Sequence, residues 1–402
     1  MARQGKLLRR VLLALAVAAL VDGIVGVTWL GDGRVGKRPL PPFGELDAEQ
    51  RAALERLAAG TPRTESVMAF DRELGWCVRP GAVHSELDVH VDATGLRGTR
   101  SYAAAPPPGV VRLACFGDSF TFGDEVRDDY TYQAFLEAHE PRVEALNFGV
   151  PAYGTDQALL RLSREGLRGA RVAVLSLLLE NIGRNVNRWR PLWTPRTLTP
   201  LAKPRFVLEH GALRLVPQPF EDPRAILAAA DAGALLASVA EHEYWLGRPA
   251  IPTGRWSSIG RLVGGFLAYR ERDPERLWND ADGEPRRVTL ALVDEFRRVA
   301  LARGAERVLV LVLPMREELA RFRATGRSYW SALPAELATR DIDALDLAPA
   351  LAAEDARCEA DPAHPTLYVA AHLSSHGNQV IALEILAWLG RVGLLEPRSA
   401  EK

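Results

Sequence analysis

The sequence predicts an α/β protein: a mostly parallel five-stranded sheet in a three-layer α/β/α arrangement, behind an N-terminal transmembrane helix. Three observations predict it. Short apolar runs recur at 110–116, 142–148, 171–179 and 307–314, with a weaker fifth at 341–347. Runs of this length without polar alternation suit strands buried on both faces of a parallel sheet. Segments whose apolar residues repeat at three or four positions fill the gaps, and strand alternating with helix argues a doubly wound sheet with right-handed crossovers. Third, MARQGKLLRR carries four basic residues and no acid, and residues 11–30, VLLALAVAALVDGIVGVTWL, follow it. That is about the 20 residues a spanning helix needs.

In chain order, residues 1–30 form the basic stretch and the anchor, whose blemish is Asp22. A carboxylate within a span costs roughly 2.5 to 3.5 kcal/mol, which the apolar neighbours outweigh. A cleaved signal peptide competes with this reading, as does an apolar helix of a cytosolic protein. The one clear small-x-small site, Ala16 to Ala18, falls inside the apolar region rather than after it, which argues against cleavage. The basic residues stay in the cytoplasm, so the rest of the chain is expected outside; secretion or periplasmic release after cleavage is the alternative.

Residues 31–108 read as a juxtamembrane linker and an N-terminal extension, with a short helix in DAEQRAALERLAAG, Asp47 as its cap and Gly60 past its end. AAAPPPG at 103–109 is a break before the main domain, which is expected at 109–390. There the five runs are strands, and YTYQAFLEAH, TDQALLRLSREGL and VTLALVDEFRRVALARG are helices. More than a hundred residues separate the third strand from the fourth, too many for a simple connection. An insertion at about 190–285 is therefore expected, with a hairpin around Glu209, His210 and Gly211 and a helical, Trp-rich stretch at 224–270.

Composition narrows the function classes. With 48% hydrophobic and 25% charged residues and a formal net charge of -1, the 402-residue chain is neither disordered nor a nucleic-acid binder. Cys77, Cys115 and Cys358 have no metal-type spacing; a Cys77–Cys358 disulfide is compatible with the sequence but unsupported by it.

Polar clusters fall at the carboxyl ends of the predicted strands, where open parallel sheets bind ligands. GDSFTFG follows the first strand, NFGVPAYGTDQ the second and ENIGRNVNRW the third. A serine hydroxyl needs a base and donors facing the oxyanion to act as a nucleophile. His372, just ahead of a closing helix predicted from about Gly377, is the candidate base for Ser119, with His376 as runner-up.

These blocks, in this order, resemble the GDSL or SGNH hydrolase superfamily of esterases, lipases, polysaccharide deacetylases and acyl transferases, over residues 109–390. The likeness is to its membrane-anchored bacterial members. The resemblance implies a flavodoxin-like sheet, Ser119 as nucleophile and first oxyanion donor, Ala152 and Asn181 as the further donors, and His372 as base. Three departures stand out. Ala152 replaces the usual oxyanion Gly; Leu179–Ile182 replaces Gly-x-Asn-Asp; and Val369 occupies the place of the acid three residues before the His. Asp361, Asp343 and Asp346 are candidate substitutes for that acid, and a backbone carbonyl is another.

Arg184 and Asn185 are candidate substrate-lining residues, and Trp189, Trp193, Trp245 and Trp256 either stack on sugar rings or fill the core. No metal or organic cofactor is implied. The expected partners are an acylated small molecule or polysaccharide and the cytoplasmic membrane, with no nucleic acid. The expected function is an extracytoplasmic carbohydrate esterase or deacetylase. Alternatives are a polysaccharide O-acyltransferase and a catalytically weak binding or assembly protein that keeps the fold.

Overall fold

The computed structural model describes residues 2–30, 34–35, 38–41, 43–60, 66–248, 257–361 and 364–396. Helix α1 (Ala2–Trp29) contains the apolar segment Arg9–Thr28, long and apolar enough to cross a membrane and not buried against the protein. Helix α2 (Ala48–Ala58) begins at Asp47, whose side chain accepts the Gln50 N–H at 2.8 Å while the Gln50 side chain accepts the Asp47 N–H. This reciprocal cap satisfies two of the donors a helix start leaves free.

The main sheet is built as its apolar runs predict. Strand β1 (Val111–Gly117) is followed by α3 (Tyr132–His139), β2 (Val143–Gly149), α4 (Thr155–Glu165) and β3 (Val172–Leu178). The insertion ends with α5 (Ser258–Glu271); α6 (Glu284–Ala302), β4 (Arg307–Leu313), β5 (Asp343–Asp346), α7 (Ala348–Ala360) and α8 (Ser375–Arg391) follow. All five strands are parallel, in the order β5-β4-β3-β1-β2. The chain builds outward from β1 to β2, then returns to the other side of β1 for β3. The crevice between β1 and β3 is therefore the point where the connection order reverses.

Each strand feeds two cores, because alternate side chains face opposite sides of a sheet. Ala114 and Phe116 of β1 join Phe148 and Phe296 on one side; Leu113 and Cys115 join Leu136, Ile381 and Ile385 on the other. Phe116 stacks on Phe148 at 4.5 Å between centroids, with Phe296 edge-on to Phe116 at 5.7 Å. Cys77, Cys115 and Cys358 are all free, so the Cys77–Cys358 disulfide is not formed.

The insertion holds the expected hairpin, Arg205–Glu209 against Ala212–Val216, turned by His210 and Gly211 at φ 51° and 83°. Left-handed residues at both loop positions match the right-handed strand twist. Lys203, just before it, is buried and ion-pairs with the buried Asp156 of α4. Burial pushes the Asp156 carboxyl up and the Lys203 ammonium down, so each charge relies on the other. Trp189 and Trp245 are core residues, 0% and 1% exposed, rather than a sugar platform. Trp256 lies outside the described residues.

Candidate active site

Ser119 opens a single helical turn, Ser119–Phe122, directly behind β1. Asp118 caps that turn, its Oδ1 accepting the Phe120 N–H at 2.9 Å, and Gly123 ends it at φ 84°. The turn is packed tightly against the sheet: a side chain at Gly117 would collide with Thr121, and one at Gly149 with the backbone of Phe122. The glycines before and beside the serine are thus demanded by close approach, and they fix the hydroxyl at the crevice mouth.

His372 arrives from a two-stranded turn, Tyr368–Val369 against His372–Leu373, ahead of α8. Its Nε2 lies 3.0 Å from Ser119 Oγ, across 253 positions of sequence. The imidazole packs against the Phe120 ring at 5.3 Å between centroids. Ser374 caps α8 through the Gly377 N–H, and the Asn378 side chain accepts the Tyr132 N–H at 3.2 Å. These bonds tie the histidine segment to the domain.

The acid facing the histidine is one the sequence analysis missed. His372 Nδ1 lies 3.4 Å from Glu125 Oε1, within ion-pair distance but without hydrogen-bond geometry, and among the described residues neither Nδ1 nor Glu125 Oε2 has a hydrogen-bond partner. Glu125 sits at φ 69°, a conformation that costs a non-glycine residue roughly 1 to 3 kcal/mol and persists only where the surroundings impose it. The surroundings do so through Arg97, whose guanidinium donates to the carbonyls of Phe122, Gly123 and Val126 at 2.7–2.9 Å and to Asp128 Oδ1 at 2.8 Å. None of the three suggested substitutes takes this place. Asp343 pairs with Arg307, Asp346 accepts the Ala348 N–H, and Asp361 lies against His364. Val369 is 46% exposed, directly across the turn from His372. A left-handed acid six residues after a serine carries no signal in a single sequence, and only the fold brings it under the ring.

Asp124 also borders the ring, its Oδ2 4.0 Å from His372 Nε2. Burial pushes the Asp124 carboxyl up to about 6, and the charge of His372 opposes that rise.

Asn181 reaches the same corner from the turn after β3. Its Nδ2 donates to Asp118 Oδ2 at 2.6 Å, and among the described residues its Oδ1 has no hydrogen-bond partner. Asp118 thus joins the serine turn to the Asn181 side chain. Ala152 has φ 65°, so the position does require the left-handed backbone that glycine adopts freely, and alanine holds it at a cost. Among the described residues, the N–H groups of Ser119 and Ala152 have no hydrogen-bond acceptor in the protein.

Arg184 stands beside the site, bonded to the Tyr153 carbonyl at 3.3 Å and to Glu180 at 3.1 Å, and 3.8 Å from Asp118. Asn185 does not line it. That side chain is 0% exposed, accepts the Thr155 N–H at 2.8 Å and donates to Thr289 Oγ1 at 2.8 Å, so the expectation of a substrate contact is corrected to a core tie between α4 and α6. Arg190, unmentioned in the sequence analysis, lies over the Trp76 ring at 5.4 Å, and Trp76 Nε1 donates to the Pro151 carbonyl beside Ala152. Burial pulls the Arg190 guanidinium down to about 9, and the charge of Arg184 adds to the fall.

His376 is turned away from the serine and bonds Glu354 at 2.8 Å. With His364 these two bring ligand atoms within 4.8 Å of one another, a donor set that could hold a divalent cation apart from the serine.

No family model and no curated protein matches the chain. Seven solved chains do. One of them, a crystal structure, aligns at 16% identity over 71% of this chain and 98% of its own length, with a TM-score of 0.35. At that score the likeness carries no weight for fold or function.

Proposed function

We propose that the chain is an SGNH-type serine ester hydrolase, anchored in the cytoplasmic membrane by α1, with its α/β domain outside. The strand order is that of the flavodoxin-like doubly wound sheets, and apolar cores on both sides of it support a three-layer arrangement. The observation that carries the reading is the 3.0 Å contact between His372 Nε2 and Ser119 Oγ, at the point where the strand order reverses.

In the proposed reaction His372 removes the Ser119 proton as Oγ attacks an acyl carbonyl. The carbonyl oxygen becomes an oxyanion facing the N–H groups of Ser119 and Ala152, with the remaining amide hydrogen of Asn181 as a third donor. Collapse expels the alcohol, which takes the proton from His372, and the acyl-enzyme is then hydrolysed by water activated at the same imidazole. Each oxyanion donor is worth about 10²–10³ in kcat in comparable sites. In this reaction Glu125, 3.4 Å from Nδ1, closes on the Nδ1 proton as the imidazolium forms, which makes Nε2 the basic nitrogen and stabilises the cation. An acylated polysaccharide is the proposed substrate class, in keeping with the resemblance to anchored bacterial members.

A fluorophosphonate probe tests the reading. Stoichiometric labelling of the wild type, abolished in both Ser119→Ala and His372→Ala, is expected. A folded wild type inert to the probe and to aryl acetates overturns the hydrolase assignment and leaves a binding protein.

A further inference from the structure

Asp22, the acid within the anchor, has a structural use. Its carboxylate accepts the Ser257 hydroxyl at 2.7 Å and the N–H groups of Ser258 and Ile259 at 3.0 and 2.9 Å. It thereby caps α5, satisfying orphan donors and the positive end of the helix dipole. Gly26, one turn further along α1, leaves room for Ser258, whose Oγ would lie 2.7 Å from a Cβ there. The apolar segment ends at Thr28, so Asp22 lies roughly 9 Å short of that end along the axis. Helix α5 therefore starts at a level within the apolar span. Three turns of it expose Ile259, Val263, Phe266 and Leu267, 36% to 68% accessible, along one face. Ile24 and Val27 of α1, 52% and 83% exposed, extend that apolar surface.

A cleft of about 870 Å³ opens under α5, with Trp193, Leu262 and Tyr269 among its walls; its polar side sets Arg38, Arg270, Arg272 and Arg321 against the carboxylates of Glu180 and Asp273. Arg272 is 8% exposed. Its terminal nitrogens donate to the carbonyls of Ala268 and Leu192 and its guanidinium lies over the Phe43 and Trp245 rings at 4.7 and 5.0 Å, while among the described residues its Nε has no hydrogen-bond partner. Among the described residues no carboxylate pairs with Arg38, Arg270 or Arg272, and Arg38 is held over the Tyr269 ring at 5.2 Å. A buried, orphaned guanidinium nitrogen in a cleft with surplus positive charge calls for an anion. Its apolar walls, and an apolar helix above, call for one carried on hydrocarbon.

We propose that α5 lies in the outer leaflet beside the anchor and that this cleft receives the anionic headgroup of a membrane lipid. The inference rests on the reading of α1 as a membrane anchor with the domain outside. Glu180 lines the same cleft and precedes Asn181 in the chain, so the cleft borders the turn that carries Asn181.

The full-length protein in phosphatidylglycerol nanodiscs, with photoreactive benzoylphenylalanine at position 266 or at the control position 301, tests the leaflet contact. Lipid adducts are expected at 266 and absent at 301. Native mass spectrometry of the detergent-solubilised full chain tests the headgroup site. Phosphatidylglycerol is expected to be retained over phosphatidylcholine, with retention falling about tenfold in Arg272→Gln. Should that variant unfold, the surface pair Arg38→Gln with Arg270→Gln is expected to weaken retention in the same direction. Glycerol 3-phosphate is expected not to displace the lipid; displacement at equal concentration would mean a soluble anion and overturn the lipid. Release of the chain from membranes by alkaline carbonate ends the anchor reading and this inference together. Retention in the membrane without lipid adducts at 266, or with protein adducts alone, overturns this inference and leaves the anchor and the esterase readings standing.

Discussion

At the level of single residues the acid nearest His372 is not at the position the SGNH resemblance implies. Val369 faces His372 across a turn and carries no charge, while Glu125 supplies a carboxylate to the Nδ1 side from a strained loop clamped by Arg97. If Glu125 orients the imidazole, Glu125→Gln lowers kcat for an activated ester by about 10² to 10³ while KM moves little. A purely structural role would lower the stability of the fold and leave kcat per folded molecule unchanged. Adding Val369→Asp to this variant is expected to restore part of the rate, since cross-strand partners face the same side. Failure of any kcat loss would return the orienting task to a backbone carbonyl. The meeting of Ser119, His372 and Asn181 at one corner was legible because polar clusters and strand ends coincide in the sequence. Glu125 was not, because nothing local marks an acid whose partner lies 247 positions away; the imidazole it serves comes from His372 at the other end of the domain. Asn185 misled for the converse reason: polar residues after a strand suggest a ligand, and this one is spent on joining helices.

At the level of elements, the five strands and the helices between them emerge from periodicity to within a few residues. Uninterrupted apolar runs bury both faces, and a polar substitution there has nowhere to go. The insertion was legible as a length and a hairpin, but not as a docking arrangement, because its contacts depend on one lysine finding one aspartate. Lys203 and Asp156 form that buried pair. Lys203→Met strands the aspartate and is expected to cost about 3 to 5 kcal/mol of unfolding free energy in urea. Combining it with Asp156→Asn, which keeps an oxygen for the Gln157 N–H, is expected to recover most of the loss. Equal destabilisation by the single and double variants would show that the pair's charge is immaterial.

At the level of the whole molecule, stability should register the half-buried Asp124 beside the site. Folding raises the Asp124 carboxyl from its ordinary range to about 6, so the folded state holds a proton there that the unfolded chain releases at lower pH. Its contribution is therefore full below about pH 4 and is lost as the pH rises through 6. Relative to Asp124→Asn, wild type is expected to lose on the order of 2 kcal/mol between pH 4 and 7. A constant difference between the two across that range would contradict the raised value. The apolar N-terminal stretch was legible by length and hydropathy, whereas its contact with residues 257–259 was not, since those lie more than two hundred positions further on.

That contact has a practical consequence for anyone preparing the protein. Cutting the chain ahead of Leu30, the usual route to a freely dissolving sample, takes away the carboxylate on which the Ser257–Ile259 backbone rests. The shortened molecule keeps its bare row of Ile259, Val263 and Phe266 and loses the neighbour that shared their apolar surroundings. It should clump unless detergent stays in the buffer, and greasy behaviour would survive the removal of the segment usually blamed for it.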